Sequence, residues 1–330
     1  MHHGKKEPVE AALYLKKAIS IDSKFSKAYN ELAYAYMSKQ DFTNAEETIK
    51  EYMNLLPNHE NPYDTYAEML MRNHRYQESL DAYTKVLEIN PEAPWAIMGA
   101  STNLSILGRY TQARSLLDKM NDIPLSDYEY RHKWRARICA YLTENKIDSA
   151  ITTLQQQYNE SASGVNKREP IFHQYIAFSR ITRLYFENNE SEKGMNSYSD
   201  WKNFVSSNIT NESTINNVKN LESYYTAYTS YLNENYLSAK QLLRNEGDRN
   251  SDENLLFSKI LLKEGDIDEA IKILEQLDSD NSYYQYWLLQ AYRMNNMKNK
   301  SELVIERIKS LIEINNLDYA LVVSKLIEKS

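Results

Sequence analysis

One small residue returns along this chain at a fixed place in a repeating pattern: Ala45, Ser79, Ala113, Ala150, Gly194, Ala239, Ala270 and Ser301. The intervals between these positions are 34, 34, 37, 44, 45, 31 and 31 residues. A sustained period in this range marks a stack of supersecondary units rather than one closed core, because each unit buries its apolar face only against its neighbours. Stacks of this kind work mainly by binding other proteins, so the ladder constrains function as well as fold.

The regular register runs from Ser26 to Asn121. Tyr29, Leu32, Ala33 and Tyr36 share one helical face at i, i+3, i+4 and i+7. Asp41 is placed to cap a second helix, whose stripe continues through Ala45, Ile49 and Tyr52 until Pro57. The set returns as Tyr63, Tyr66, Ala67, Leu70, Ser79, Tyr83, Val86 and Pro91, and again as Ile97, Ala100, Ser101, Leu104, Ala113, Leu117, Met120 and Pro124. His74, Gly108, Asn145, Asn189 and Gly265 stand where the first helix of a pair ends, and Gly and Asn suit the left-handed conformation that stops a helix.

This pattern resembles the tetratricopeptide repeat: a small residue at the eighth position, another at the twentieth, an aromatic or aliphatic at the twenty-fourth, and a closing Pro. The resemblance implies an all-α superhelix, a right-handed solenoid of about eight antiparallel helix pairs plus terminal helices. The two helices of a pair cross near the eighth and twentieth positions, where a large side chain would force the axes beyond the usual separation of about 8–10 Å.

Residues 1–7 read as a tag or disordered start, 8–160 as the regular array, and 161–330 as divergent repeats that continue the solenoid. Polar loops are expected at 160–169 and 206–217, and shorter connections where the interval falls to 31. Ala11, Leu15 and Ala18 read as the second half of a repeat, consistent with a fragment of a longer protein, a natural cap or an edge that meets another chain. Residues 317–329 are expected to form a capping helix.

Composition narrows the chemistry. Gly and Pro number seven each, and every Pro lies at or before residue 170, which suits a helical protein. The formal net charge of −7 argues against nucleic acid as a partner. No apolar run is long enough for a transmembrane helix. Cys139 is the only cysteine, and no His stands at i, i+4 from another His or Cys, so neither a metal nor any other cofactor is expected. Cys139 and His132 lie about 10 Å apart along a helix, too far for a nucleophile and its base. The 27 Tyr are read as core residues in preference to a sugar-stacking surface. Compartment and oligomeric state are not legible.

In the tetratricopeptide family the first helix of each pair lines a concave groove, and its second, fifth, ninth and twelfth positions face a bound peptide. Transferred by register, the candidate groove residues are Tyr34, Met37, Asp64, Glu68, Met71, Trp95, Met98, His132, Arg135 and Arg183. Trp95 with the three Met side chains reads as an adaptable apolar patch, or Trp95 as a packing residue. Arg131, His132, Lys133, Arg135 and Arg137 form a basic helix, suited either to a carboxylate ligand or to salt bridges with acidic neighbours. The family's carboxylate clamp is absent, since Asn30, Tyr34, Thr65, Trp95 and Gly99 occupy its positions. The expected function is a non-enzymatic scaffold that binds a protein or peptide segment in its groove. The alternative is a sensor or regulatory module of a larger protein, such as a small-peptide receptor.

Overall fold

The structure is a computed structural model that describes residues 7–162, 170–312 and 316–327. The expected N-terminal tag, apart from Glu7, and most of the loop at 160–169 lie outside the described residues. Every regular element among the described residues is helical.

The chain forms two compact units. The first runs to Ala136 and includes Ile312; the second comprises Arg137–Leu311 and the residues from Asn316 onward. The first unit holds α1 (Glu7–Ile21), α2 (Ser26–Met37), α3 (Phe42–Leu55), α4 (Glu60–Arg72), α5 (Tyr76–Ile89), α6 (Pro94–Ile106), α7 (Tyr110–Asp118) and the start of α8 (Asp127–Thr143). The second holds the rest of α8, then α9 (Ile147–Ala162), α10 (Pro170–Glu187), α11 (Ser191–Asn208), α12 (Glu212–Leu232) and α13 (Tyr236–Leu242). It continues through α14 (Ser251–Glu264), α15 (Ile267–Leu274), α16 (Ser282–Met294), α17 (Lys298–Ser310) and α18 (Leu317–Ile327).

The joint inside each pair is a left-handed residue. Gln40, His74, Asn145, Asn189, Glu234 and Asn296 have φ between 56° and 60°, and Gly108 and Gly265 have φ of 74° and 87°. Each stands five positions before a rung of the small-residue ladder. At seven of the eight, two backbone bonds close the helix: Gln40 N–H donates to Met37 O and Asp41 N–H to Tyr36 O, and the pattern repeats at 74/75, 108/109, 145/146, 189/190, 234/235 and 296/297. At the eighth, Gly265 N–H and Asp266 N–H both donate to Leu261 O. These bonds satisfy the orphan carbonyls of the first helix and turn the chain sharply. The second helix begins two residues after the turn. At the first joint the Asp41 carboxylate caps it, accepting from Asn44 N–H.

The ladder residues are the crossing points. All eight are buried. Ser79 Oγ donates to Ala67 O, which joins the twentieth position to the eighth, and Ser101 Oγ donates to Ala113 O. Asn103 Nδ2 also donates to Ser79 Oγ, so the polar rung is satisfied inside the core. First helices also pack side by side, α4 touching both α2 and α6, and α14 touching both α12 and α16. Each unit is therefore two-layered, with first helices in one layer and second helices in the other. Tyr29, Tyr36, Tyr83, Tyr198, Tyr225, Tyr228, Tyr283 and Tyr286 are buried, as core use of tyrosine predicts.

Three local expectations are corrected. The stretch 206–217 is mostly helix: α11 extends to Asn208, and Asn211 caps α12 by accepting from Thr214 N–H, leaving only 209–211 between them. The 31-residue intervals come from short second helices, since α13 and α15 have 7 and 8 residues where α3 and α5 have 14. On α1 the buried small residue is Ala12, whereas Ala11 is exposed.

Candidate functional site

First helices carry the candidate residues, and the structure separates them into four sets. Tyr34 and Glu68 are fastened to each other. The Tyr34 hydroxyl donates to Glu68 Oε2 at 2.8 Å, and Arg72 donates to Glu68 Oε1 through Nε at 3.1 Å and a terminal nitrogen at 2.6 Å. Thr65 Oγ1 donates to Asn30 Oδ1 at 2.7 Å beside them. Burial, reinforced by the Glu68 carboxylate, holds the Tyr34 phenol well above its ordinary pKa.

Met37, Met71 and Met98 are buried. The expected adaptable Met patch is therefore not a surface. These unbranched thioethers fill gaps in the packing, which suits their flexibility.

Asp64, Trp95, His132 and Arg135 make up the third set, residues of first helices in the first unit, with Trp95 exposed and the other three half-buried. Burial, then the carboxylates of Glu68 and Glu60, raise Asp64 from 3.8 to about 6. No described cation pairs with it. Pro94 sits in the first turn of α6, where its fixed φ is preorganised for a helix, and the turn presents Trp95. The indole is 37% exposed and Tyr128 is 51% exposed. Their centroids lie 5.4 Å apart, and His132 lies 5.3 Å from Trp95 and 4.3 Å from Tyr128. Arg131 extends the cluster over the Tyr128 ring at 5.9 Å. Arg135 belongs to no ion pair among the described residues, and its buried Nε has no hydrogen-bond partner. The basic helix is thus divided in use: Lys133 lies over Tyr130 and Trp134, while Arg135 stays uncommitted.

Arg183 lies in the second unit and is occupied. A terminal nitrogen donates to Asp318 Oδ1 at 2.7 Å, and the guanidinium lies 5.1 Å from the Tyr283 ring centroid. Tyr283 and Tyr228 both donate to Glu187, and Lys259 Nζ donates to the Tyr228 hydroxyl at 2.5 Å while lying 4.6 Å from the Trp287 ring centroid. Asp318, Glu187 and Lys259 escaped sequence reasoning because these contacts join residues 135, 96 and 31 positions apart. Tyr128 escaped because it precedes the register positions, although its spacing of four from His132 was readable.

Cys139 is a buried core residue. Among the described residues no group of three His, Cys, Asp or Glu side chains is arranged to hold a metal ion, and no helix is long and apolar enough to cross a membrane. Clefts of 850 and 930 Å³ elsewhere in the second unit include none of the ten candidate residues.

A family model described as Tetratricopeptide repeat matches residues 26–59, the pair α2–α3 with its flanking turns. Residues 26–59 form a tetratricopeptide repeat. The other seven helix pairs share its left-handed joint and the small rung five residues later. Among solved structures, yeast Tom70 aligns at 18% identity over 98% of this chain and 62% of its own, with a TM-score of 0.53. A tetratricopeptide repeat protein from Parabacteroides merdae ATCC 43184 aligns at 14% identity over 87% of this chain and 99% of its own, with a TM-score of 0.48. The pilus biogenesis factor PilW aligns at 17% identity, over 76% and 91%, with a TM-score of 0.44. The chain spans about three fifths of the Tom70 chain, and at this identity the likeness speaks to fold alone. No curated protein sequence matches the chain.

Proposed function

We propose that this chain is a non-enzymatic interaction scaffold whose first unit binds a partner peptide across its first-helix layer. The observation that carries the reading is the set of groups left uncommitted there. Asp64 is an unpaired carboxylate held at a raised pKa, Arg135 is an unpaired guanidinium with a buried Nε, and Trp95 with Tyr128 is an exposed aromatic surface. Buried polar groups without partners cost stability, and a ligand that supplies those partners recovers it. A peptide matching this set carries a basic residue for Asp64, an apolar side chain for the Trp95–Tyr128 surface, and a carboxylate for Arg135, which guanidinium geometry can hold bidentately. Tryptophan and arginine are also the residue types most often dominant at interfaces.

The test is a charge-patterned peptide library, with fluorescence anisotropy on the full chain. Peptides with the basic–apolar–acidic order should bind in the micromolar range, about −8 kcal/mol. Trp95→Ala combined with Arg135→Ala should weaken them at least tenfold while leaving the circular-dichroism melt in place. Equal binding by the double variant would refute this face as the site.

A further inference from the structure

The 850 Å³ cleft of the second unit runs between α9 and α11, the second helices of two consecutive pairs. Its floor is the side of α10 against which both of them pack. The three helices have 16, 18 and 18 residues, where α2 to α5 have 12 to 14. The 44-residue interval from Ala150 to Gly194 falls across this cleft, so the long step of the ladder supplies the length of its walls.

The floor is aromatic and preformed. Tyr158 of α9, Phe178 of α10 and Phe204 of α11 are half-buried and stepped across it. The ring centroids of Tyr158 and Phe178 lie 5.0 Å apart, and those of Phe178 and Phe204 lie 5.3 Å apart. A buried hydrogen bond of 2.9 Å between the Thr182 and Ser197 hydroxyls fixes α10 against α11.

The rim is polar and uncommitted. Asn196, Asp200, Asn203 and Ser207 form one stripe of α11 at i, i+4, i+7 and i+11, and Gln155 and Asn159 line the cleft from α9. None of these side chains makes a hydrogen bond or ion pair among the described residues. Asp200 and Asn203 stand six and nine residues after their rung; on α5 the same places hold Lys85 and Glu88, which pair with each other in solvent. The stripe of α11 thus carries amides where an ordinary second helix carries ionised groups.

This chemistry selects a ligand class. Among the described lining residues the one cation is Lys193, whose ammonium is paired with Glu190 and lies 5.8 Å from the Tyr185 ring centroid. A phosphate or carboxylate therefore finds no free cation and meets the Asp200 carboxylate. A wholly apolar ligand would leave the rim amides without partners, which is costly. A pyranose fits both parts: its C–H faces are apolar, and its edge carries hydroxyls that donate and accept. Each amide side chain offers a carbonyl acceptor and an N–H donor to such hydroxyls, and a carboxylate accepts from them with the added strength of its charge. The cleft also falls within the range of about 300–1,000 Å³ usual for small-molecule sites.

We infer that this cleft binds a neutral oligosaccharide of a few pyranose rings. Tyr158, Phe178 and Phe204 supply the apolar floor, and Asn196, Asp200 and Asn203 hold the hydroxyls. The site lies within the second unit and does not depend on the peptide face of the first.

The experiment is isothermal titration calorimetry of the full chain against neutral trisaccharides of glucose, mannose, galactose, xylose and N-acetylglucosamine. At least one should bind with a Kd below about 1 mM. Asp200→Ala combined with Asn203→Ala, both exposed, should weaken it at least tenfold while the circular-dichroism melt stays in place. Lys85→Ala combined with Glu88→Ala, at the same register on α5, should leave binding unchanged. Trp95→Ala combined with Arg135→Ala should also leave it unchanged, which separates this site from the peptide face. In hydrogen exchange the bound sugar should protect α9 and α11 and leave α3 and α5 as they were. Failure of every trisaccharide to bind would overturn the inference, as would binding that survives the Asp200–Asn203 double variant. Protection of α9 and α11 by a peptide of the charge-patterned library, and by no sugar, would overturn it in favour of a peptide site.

Discussion

Glycine at the exposed left-handed joints should stabilise the helix pairs on either side. Gln40 and Glu234 adopt φ of 58° and 59°, their side chains are exposed, and neither makes a side-chain hydrogen bond or ion pair. An L-residue in this conformation is strained by about 1–2 kcal/mol. Glycine removes that strain but loses about 0.5–1 kcal/mol more backbone freedom on folding. The balance favours Gln40→Gly and Glu234→Gly by about 1 kcal/mol each. The reverse substitution tests the same quantity: at Gly265, with φ of 87°, an added Cβ meets nothing within 4 Å, so Gly265→Ala costs backbone strain alone, about 1 kcal/mol. A repeat stack need not unfold as one cooperative body, so native-state hydrogen exchange is the suitable assay. Amides of α12 and α13 should exchange about fivefold more slowly in Glu234→Gly, and those of α14 and α15 about fivefold faster in Gly265→Ala. If Glu234→Gly accelerates exchange, the joints are not strained caps and the energetic reasoning fails.

Two further outcomes follow from packing and charge. Gly99 differs from Gly265 in kind, because its added Cβ would lie 2.3 Å from Tyr83 Cζ in the core; Gly99→Ala should destabilise the first unit by about 1–3 kcal/mol, read as a lower urea midpoint. Asp64 has its folded pKa raised above its ordinary value, so it binds protons more readily when folded, and its contribution to stability falls as pH rises from about 4 to 6. Asp64→Asn should therefore raise the melting temperature at pH 7.5 but not at pH 4, while weakening any basic peptide bound to the first unit; a stabilisation that is equal at both pH values would contradict the assignment.

The ladder of small residues was legible. Helix crossing requires a small residue at one place and helix termination requires a left-handed residue five positions earlier, and both are local demands that leave a local trace in the residue types. Gln40, Glu234 and Asn296 show the limit of that trace, because the tertiary turn imposed φ > 0 on residues whose identity did not announce it. The 206–217 stretch shows the same override in the opposite direction, where packing kept Asn- and Ser-rich segments helical.

The surroundings of the candidate residues were only half legible. Register selected Asp64, Trp95, Arg135 and Arg183 correctly as residues of first helices, since periodicity fixes which side of a helix a residue occupies. It could not say which of them remain open. Met37, Met71 and Met98 share that register and are buried, because accessibility depends on how closely neighbouring first helices approach. Arg183 is filled by an aspartate 135 residues away, and no periodic pattern encodes that contact. The sequence by itself determined the pairs, their joints and which residues sit on first helices, because those follow from backbone geometry repeated at short range. Only the tertiary structure decided that Trp95 and Tyr128 stand exposed while Arg183 is paired with Asp318, because exposure and pairing depend on contacts between residues far apart in the chain.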